Sequence, residues 1–325
     1  MPPSRPTLRT GAWPRVGGLA AVVLSLAVLP VRPAAAVSTP RMLLLDGAVT
    51  ESAVIAVGER GTILRSTDQA QSWESAAAPT HATLTGVSFA DDGRRGWAVG
   101  HDAVILATSD GGSTWTRQYQ GDNQQDSLLD VLAVDADHVI AVGAYGLCLA
   151  TADGGRTWQR RSFQAGDLHL NRITRGPGGT LYLAGESGTL LRSRDRGATW
   201  EPIAAPYEGS FYGILALDAR TLLAHGLRGH LFRSEDDGET WKAVAVPAPM
   251  MLATAIMIRR DLIVLGGQAR ALFVSRDGGK SVAPASGAPR TAVAELIPLA
   301  NGRILALGED GATVLDRNAT DGRTP

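Results

Sequence analysis

From residue 44 onward the chain alternates short apolar runs with polar, glycine-rich breaks. One set is especially clear: residues 84–89, 96–99, 104–107 and 114–118, with Asp91-Asp92-Gly93 turning the first run into the second. β-Branched and aromatic residues fill these runs, and Gly, Asp and Asn separate them, which predicts four short antiparallel strands. No stretch after residue 36 keeps an α-helical period over ten or more residues with caps at its ends.

The four-strand set recurs. Its most regular mark is an eight-residue box: 66–73 (S-T-D-Q-A-Q-S-W), 108–115 (T-S-D-G-G-S-T-W), 151–158 (T-A-D-G-G-R-T-W), 193–200 (S-R-D-R-G-A-T-W), 234–241 (S-E-D-D-G-E-T-W) and 275–282 (S-R-D-G-G-K-S-V). The box aspartates Asp68, Asp110, Asp153, Asp195, Asp236 and Asp277 follow one another at steps of 42, 43, 42, 41 and 41 residues. The tryptophans Trp73, Trp115, Trp158, Trp200 and Trp241 close five boxes; the sixth ends in Val282, and Ala70 stands where the others have glycine. A glycine also ends the second strand of each unit: Gly58, Gly100, Gly143, Gly185, Gly226, Gly266 and Gly308. Seven such units, each unable to bury its own faces, predict an all-β, seven-bladed propeller of four-stranded antiparallel blades. Within the box, Asp is expected to fix the turn by accepting backbone N–H groups, glycine to supply positive φ, and Trp to pack on a neighbouring sheet. All six aspartates therefore read as structural. The seventh unit shows three clear strands and no box. Because an unpaired sheet edge is a liability, residues 37–41 are expected to pair with it and close the ring.

The first 36 residues read differently. Arg5, Arg9 and Arg15 precede an apolar run at 16–31 and the small residues Ala34-Ala35-Ala36. That is the pattern of a secretory signal peptide cut after Ala36, leaving a single domain over residues 37–325. Removing the four arginines of the leader leaves a formal charge of −5. A mildly acidic chain without a basic face excludes nucleic acid as the expected partner. Cys148 is the one cysteine, set in L-C-L, and reads as a small buried hydrophobe. With no clustered histidines or second cysteine, neither a metal nor a cofactor is expected.

The box is similar to the Asp-box of sialidases and related propellers. With the V-G-x-x-G step and the ~42-residue period, the chain resembles the photosystem II stability/assembly factor family. That resemblance implies a non-catalytic, monomeric scaffold exported to the periplasm, or to the thylakoid lumen in a phototroph. It also implies a membrane-protein complex as partner, photosystem II in phototrophs, met through an arginine-bearing patch. The alternative is a sialidase-like glycoside hydrolase or a glycan-binding propeller. Against it, the Arg-Ile-Pro entry motif of sialidases is missing, the nearest fragment being Arg172-Ile173-Thr174, and Tyr207-Glu208, which with Tyr212 could be misread as a nucleophile pair, are adjacent and would point to opposite faces of a strand. Turns between second and third strands share a face with the links between blades. On that face Arg60, His101, Tyr145, Arg172, Tyr212, Arg228 and Arg270 are the candidate partner-binding residues, since Arg and Tyr combine contact area with polar reach.

Overall fold

The computed structural model describes Met1 and residues 41–123, 125–163 and 166–315. Six four-stranded antiparallel sheets and one three-stranded sheet follow in chain order, with only single-turn 3₁₀ segments between strands. The fold is a seven-bladed β-propeller. Blade two runs Leu84–Phe89, Gly96–Gly100, Ile105–Thr108 and Thr116–Tyr119, so the expected strands are met to within two residues. In every blade the strands pair in sequence order, as short connections require.

The core lies between blades. Second strands such as Val54–Gly58 and Val139–Gly143 are buried throughout, because both faces meet apolar neighbours. Outer strands such as Gln159–Arg160 are exposed. Seven apolar clusters fill the seven junctions, and the one joining blade seven to blade one holds Leu44, Trp73, Ile297 and Leu307. The box tryptophan of each blade sits in the junction with the preceding blade: Trp115 between blades one and two, Trp158 between two and three, Trp200 between three and four, Trp241 between four and five. Val282 takes this position between five and six.

The box hairpins share one hydrogen-bond scheme. At Asp153, Oδ1 accepts the Thr151 hydroxyl (2.7 Å) and the Thr157 N–H (2.9 Å), and Oδ2 accepts the Thr157 hydroxyl (2.7 Å). Thr151 Oγ1 in turn accepts the Gly155 N–H. The carboxylate thus clamps a loop four residues on, two residues further than an Asx turn from the same residue would reach. Donation by the Thr157 N–H and the Thr151 and Thr157 hydroxyls draws the Asp153 carboxyl down to about 2. The Ser66–Trp73 loop repeats the scheme despite its unusual sequence: Ala70 N–H still reaches Ser66 Oγ at 2.9 Å, with Gln69 and Ala70 held at φ 60° and 64°.

The glycine that ends each second strand is there for a different reason from the box glycines. Gly143 is extended, at φ −167°, so positive φ is not its reason. A Cβ there would lie 2.0 Å from the Ser127 carbonyl oxygen. The same clash recurs at Gly58 with Leu43 and at Gly308 with Ala292. In blade six the equivalent residue is Gly267, facing Met251 O at 1.9 Å, and Gly266 lies one place earlier. Each glycine lets the turn between second and third strands lie on the link entering its own blade; the N–H after Gly143, that of Ala144, donates to that same Ser127 oxygen at 2.9 Å. Gly143→Ala is expected to cost about 1–3 kcal/mol, because the obstacle is backbone and cannot swing aside. Urea unfolding reads it, and a loss within 0.5 kcal/mol of zero, the usual range for a neutral surface change, would contradict the close-approach explanation.

Among the described residues blade seven has three strands, Val293–Pro298, Ile304–Gly308 and Gly311–Leu315. The expected closing residues 37–40 lie outside the described residues, as does the whole leader apart from Met1. Arg41 is a bend residue.

Candidate functional site

The turns between second and third strands lie against the links that leave their blades. Gly146 N–H donates to Leu168 O, Gly188 N–H to Gly209 O and Ala103 N–H to Asp126 O. Turns and links therefore share one face. Its turn tips carry Arg60, Tyr145 and Arg228, all exposed, at φ 55°, 53° and 55°. Arg270 sits one place later in its turn, at φ 64°. Non-glycine residues pay to adopt this left-handed region, and here they do so with their side chains projecting from the same face.

Among the described residues Arg60 and Arg228 make no side-chain hydrogen bond or ion pair, whereas Arg270 Nε donates to Pro289 O at 3.1 Å and ties down the link into blade seven. Tyr145 is 62% exposed and packs edge-on against His169 at 4.9 Å. Exposed His101 spends its backbone in a bridge to Ser127. The glutamates of three turns have local duties: Glu59, Glu186 and Glu309 accept the N–H groups of Leu43, His169 and Ala292.

Two candidates are elsewhere. Arg172 and Tyr212 are not on links; they lie in the innermost strands Leu170–Arg175 and Phe211–Ala216. Every innermost strand carries a β-bulge near its start, and Tyr212 is the extra residue of its bulge. A bulge re-aims the side chain that follows it. The residues after the seven bulges are Asp46, Gly86, Asp130, Arg172, Gly213, Thr254 and Glu295, one per blade.

These residues meet across the propeller axis. Arg172 Nη2 donates to Glu295 Oε2, stands 3.6 Å from Asp46 Oδ1, and its Nε stands 3.8 Å from Asp130 Oδ2. Asp46 also accepts the Val87 N–H of the next blade at 2.8 Å, and Asp130 accepts that of Ile173 at 2.9 Å. Thr254 donates to Glu295 at 2.9 Å. Where glycine interrupts the column, other side chains bridge neighbouring blades: Thr85 donates to Leu128 O at 2.8 Å, and His225 Nδ1 meets Leu252 O at 3.0 Å. Burial pushes Asp46 well up and Asp130 up to about 6, against the pull of Arg172 in both. Burial also opposes the charge of Arg172, but Glu295, Asp130 and Asp46 outweigh it and hold the guanidinium firmly protonated. Burial takes His225 down to about 4, so at neutral pH it is uncharged.

The arrangement offers little to catalysis. Arg172 is spent on protein carboxylates, so it is not free to take a substrate carboxylate. Tyr207, on a link, stacks on His230 at 4.0 Å and packs against the apolar junction of blades four and five. A cavity of about 450 Å³ between blades three and four is lined by Leu190, Leu191, Phe163, Trp200, Arg161 and the buried Cys148, with no carboxylate among its lining residues. Burial pushes the Cys148 thiol up to about 12, which suits a core residue. Among the described residues no group of His, Cys, Asp and Glu is placed to hold a metal, and no helix is long and apolar enough to cross a membrane.

Comparison with known proteins bears on this fold. No curated protein sequence matches the chain. Among solved structures, YCF48 bound to D1 peptide superposes with a TM-score of 0.69 at 20% identity, covering 86% of this chain and 94% of that one. YCF48 from Cyanidioschyzon merolae gives a TM-score of 0.70 at 18% identity, covering 85% and 95%. The GH74 xyloglucanase from Xanthomonas campestris gives 0.66 at 14% identity, covering 85% of this chain but 52% of that one. At such identities these likenesses establish the fold alone. The sequence profile described as Photosynthesis system II assembly factor YCF48 goes further, matching residues 64–127 and 120–261. With that match spanning most of the chain and the repeat geometry behind it, the protein belongs to the YCF48 photosynthesis system II assembly factor family.

Proposed function

We propose that this protein is a non-catalytic, exported scaffold that holds a segment of a membrane-protein subunit during assembly of its complex. The family match carries this reading, and a solved relative with a D1 peptide bound supports a peptide segment as the thing held. The face bearing Arg60, Tyr145, Arg228 and Arg270 is the contact surface, with His101 at its edge. Arg60 and Arg228 are the principal cations because their guanidinium groups are exposed and uncommitted, and Tyr145 supplies rigid contact area beside them. In a phototrophic host the partner is photosystem II, and the chain acts on the outer side of the membrane as a monomer after its leader is removed. The six box aspartates serve the fold, each clamping its own hairpin.

The full chain is tested against synthetic D1 segments by calorimetry at two salt concentrations. Charge reversal of Arg60 and Arg228 together is expected to weaken binding at least tenfold, with a smaller salt dependence than the parent. Unchanged affinity would remove this face from the reading. Failure to recover any membrane protein with the tagged chain from membranes would remove the reading itself.

A further inference from the structure

Toward the rim, consecutive blades are tied by one recurring bond. The residue just before the Ser or Thr that opens a box lies in a third strand, and from there an arginine reaches the next blade. Arg65 Nε donates to Gly111 O at 3.1 Å, Arg192 Nη1 to Asp237 O at 2.7 Å and Arg233 Nε to Gly278 O at 2.8 Å. Each acceptor is the carbonyl of the residue after a box aspartate. Blade two has Ala107 in the arginine's place, and there Gln118, three residues past Trp115, donates to Gly154 O at 3.1 Å instead. The junctions of blades one and two, two and three, four and five, and five and six are thus clamped.

The junction of blades three and four differs. Ala150 stands where the arginine would, and its methyl group is too short to cross. Arg161 stands where Gln118 does, three residues past Trp158. Among the described residues its side chain makes no hydrogen bond or ion pair, and no side chain donates to the Arg196 carbonyl, the equivalent acceptor. The cavity of about 450 Å³ lies at this unclamped place, with Ala150 in its lining. Ile140, Phe163, Leu190, Leu191, Trp200 and Ile203 form its apolar walls. Phe163 and Trp200 meet edge to face at 5.6 Å and make a rigid corner. The cleft runs from Gly188–Thr189, just before the third strand of blade four, to Gly197–Ala198 in the box after it. That is the length of a four-residue strand, on the order of 13 Å. Arg161 is exposed and is the one charged group among the lining residues.

We propose that this cleft binds a medium-chain fatty carboxylate, its chain lying between blades three and four and its carboxylate on the Arg161 guanidinium. The volume is that of a small-molecule site, and such sites pair apolar walls with a few polar groups that fix orientation. An elongated apolar chain covers the walls along their length and takes them out of water. A carboxylate at its end answers a guanidinium that has no counter-charge of its own, in the geometry arginine favours. The ligand fills the place that an arginine or glutamine side chain fills at the clamped junctions. The site is separate from the face bearing Arg60 and Arg228 and does not depend on the reading of that face.

The test titrates the full chain with decanoate and with decanol by calorimetry, below the concentration at which either self-associates. Saturable binding of decanoate at one site per chain is expected. Arg161→Gln gives this junction the residue that blade two carries. It is expected to weaken decanoate by about tenfold or more and to leave decanol nearly unchanged, because only the carboxylate loses its partner. Ala150→Arg installs the clamp of blades one, four and five, and is expected to abolish binding of both compounds and to raise Tm. Arg161 is exposed, so Arg161→Gln keeps the fold and decides the matter even where Ala150→Arg does not fold. No saturable binding of decanoate, equal losses of decanoate and decanol in Arg161→Gln, or undiminished binding by a folded Ala150→Arg would each overturn the proposal.

Discussion

Replacing Arg172 with alanine is expected to lower the unfolding free energy by about 3–5 kcal/mol, the usual cost of stranding buried charges when one partner of an ion pair is removed. Asp46, Asp130 and Glu295 are each buried, at 5%, 6% and 6% exposure, and a single guanidinium faces all three. Arg172 also does something no other residue of the column does. Five of the remaining neighbouring blade pairs are joined near the axis by a direct side-chain to backbone bond, as Asp46 joins blades one and two, and blades six and seven by Thr254. Blades seven and one are instead joined through Arg172, which reaches Glu295 on one and Asp46 on the other from across the axis.

The pH dependence separates this account from simple loss of packing. Asp130 is held up to about 6 and Asp46 is raised by burial. A carboxyl whose folded pKa is raised contributes stability at acid pH that is lost as pH rises through the folded value. Without Arg172 both groups rise further, so the deficit of the variant is largest at pH 7 and shrinks toward pH 5. His225 works the other way, its stability being lost as pH falls from the ordinary histidine value toward about 4; burial is the main cause, but the Arg172 charge adds to it, so removing Arg172 eases that acid loss and further shrinks the deficit toward pH 5. Urea unfolding of both proteins at pH 5, 6 and 7 reads the result. A loss under about 1 kcal/mol, no more than an exposed pair contributes, would sink the idea, as would a deficit that is flat across that range. Combining Arg172→Ala with Asp46→Asn and Asp130→Asn should recover much of the loss.

What the sequence disclosed and what it hid follow from how far each feature reaches. The box hairpins, the period and the seven blades were legible because each is made by residues close together in the chain and is copied six or seven times. The strands of blade two could be bounded from their residues for the same reason. Arg172 was misplaced onto a link because its partners are 42, 126 and 123 residues away, at Asp130, Asp46 and Glu295. A signal for it did exist. Aligning the units puts Asp46, Asp130, Arg172 and Glu295 at one place, two residues after the apolar start of each innermost strand. Charged residues repeated at a single strand position mark something held in common. The strand-ending glycines were located in every blade but the sixth, where Gly267 and not Gly266 holds the place, and their reason was not read. Nothing in V-G-A-Y-G says that Gly143 is extended and Gly146 at φ 68°, or that the next residue's N–H will meet the Ser127 carbonyl. Close backbone approach across a junction has no sequence mark except the glycine itself. The face shared by turns and links was legible as a position, since turn tips follow from topology, and Arg60 and Arg228 stand there as exposed, uncommitted cations.

The tryptophans give the second large effect, and they are unequal although their boxes look alike. Trp73→Ala is expected to cost about 3–5 kcal/mol, the usual loss for a fully buried aromatic, and Trp158→Ala clearly less. Trp73 is 0% exposed and fills the junction of blades seven and one, where Leu299, Leu305 and Ala312 surround it. Trp158 is only half-buried against the junction of blades two and three. Neither indole N–H finds a hydrogen-bond partner among the described residues, so the ring's value lies in its apolar body. That makes a conservative control informative: Trp73→Phe keeps most of the contact area, abandons no bond, and should cost far less than Trp73→Ala. Thermal unfolding of the three variants orders them. If Trp158→Ala were as damaging as Trp73→Ala, burial at the seam would not be what sets the value of the box tryptophan. If Trp73→Phe were as damaging as Trp73→Ala, the indole N–H would have to be bonded after all. The seam matters because blades seven and one are brought together from opposite ends of the chain, and a ring closed this way is held only by what packs and pairs across that junction.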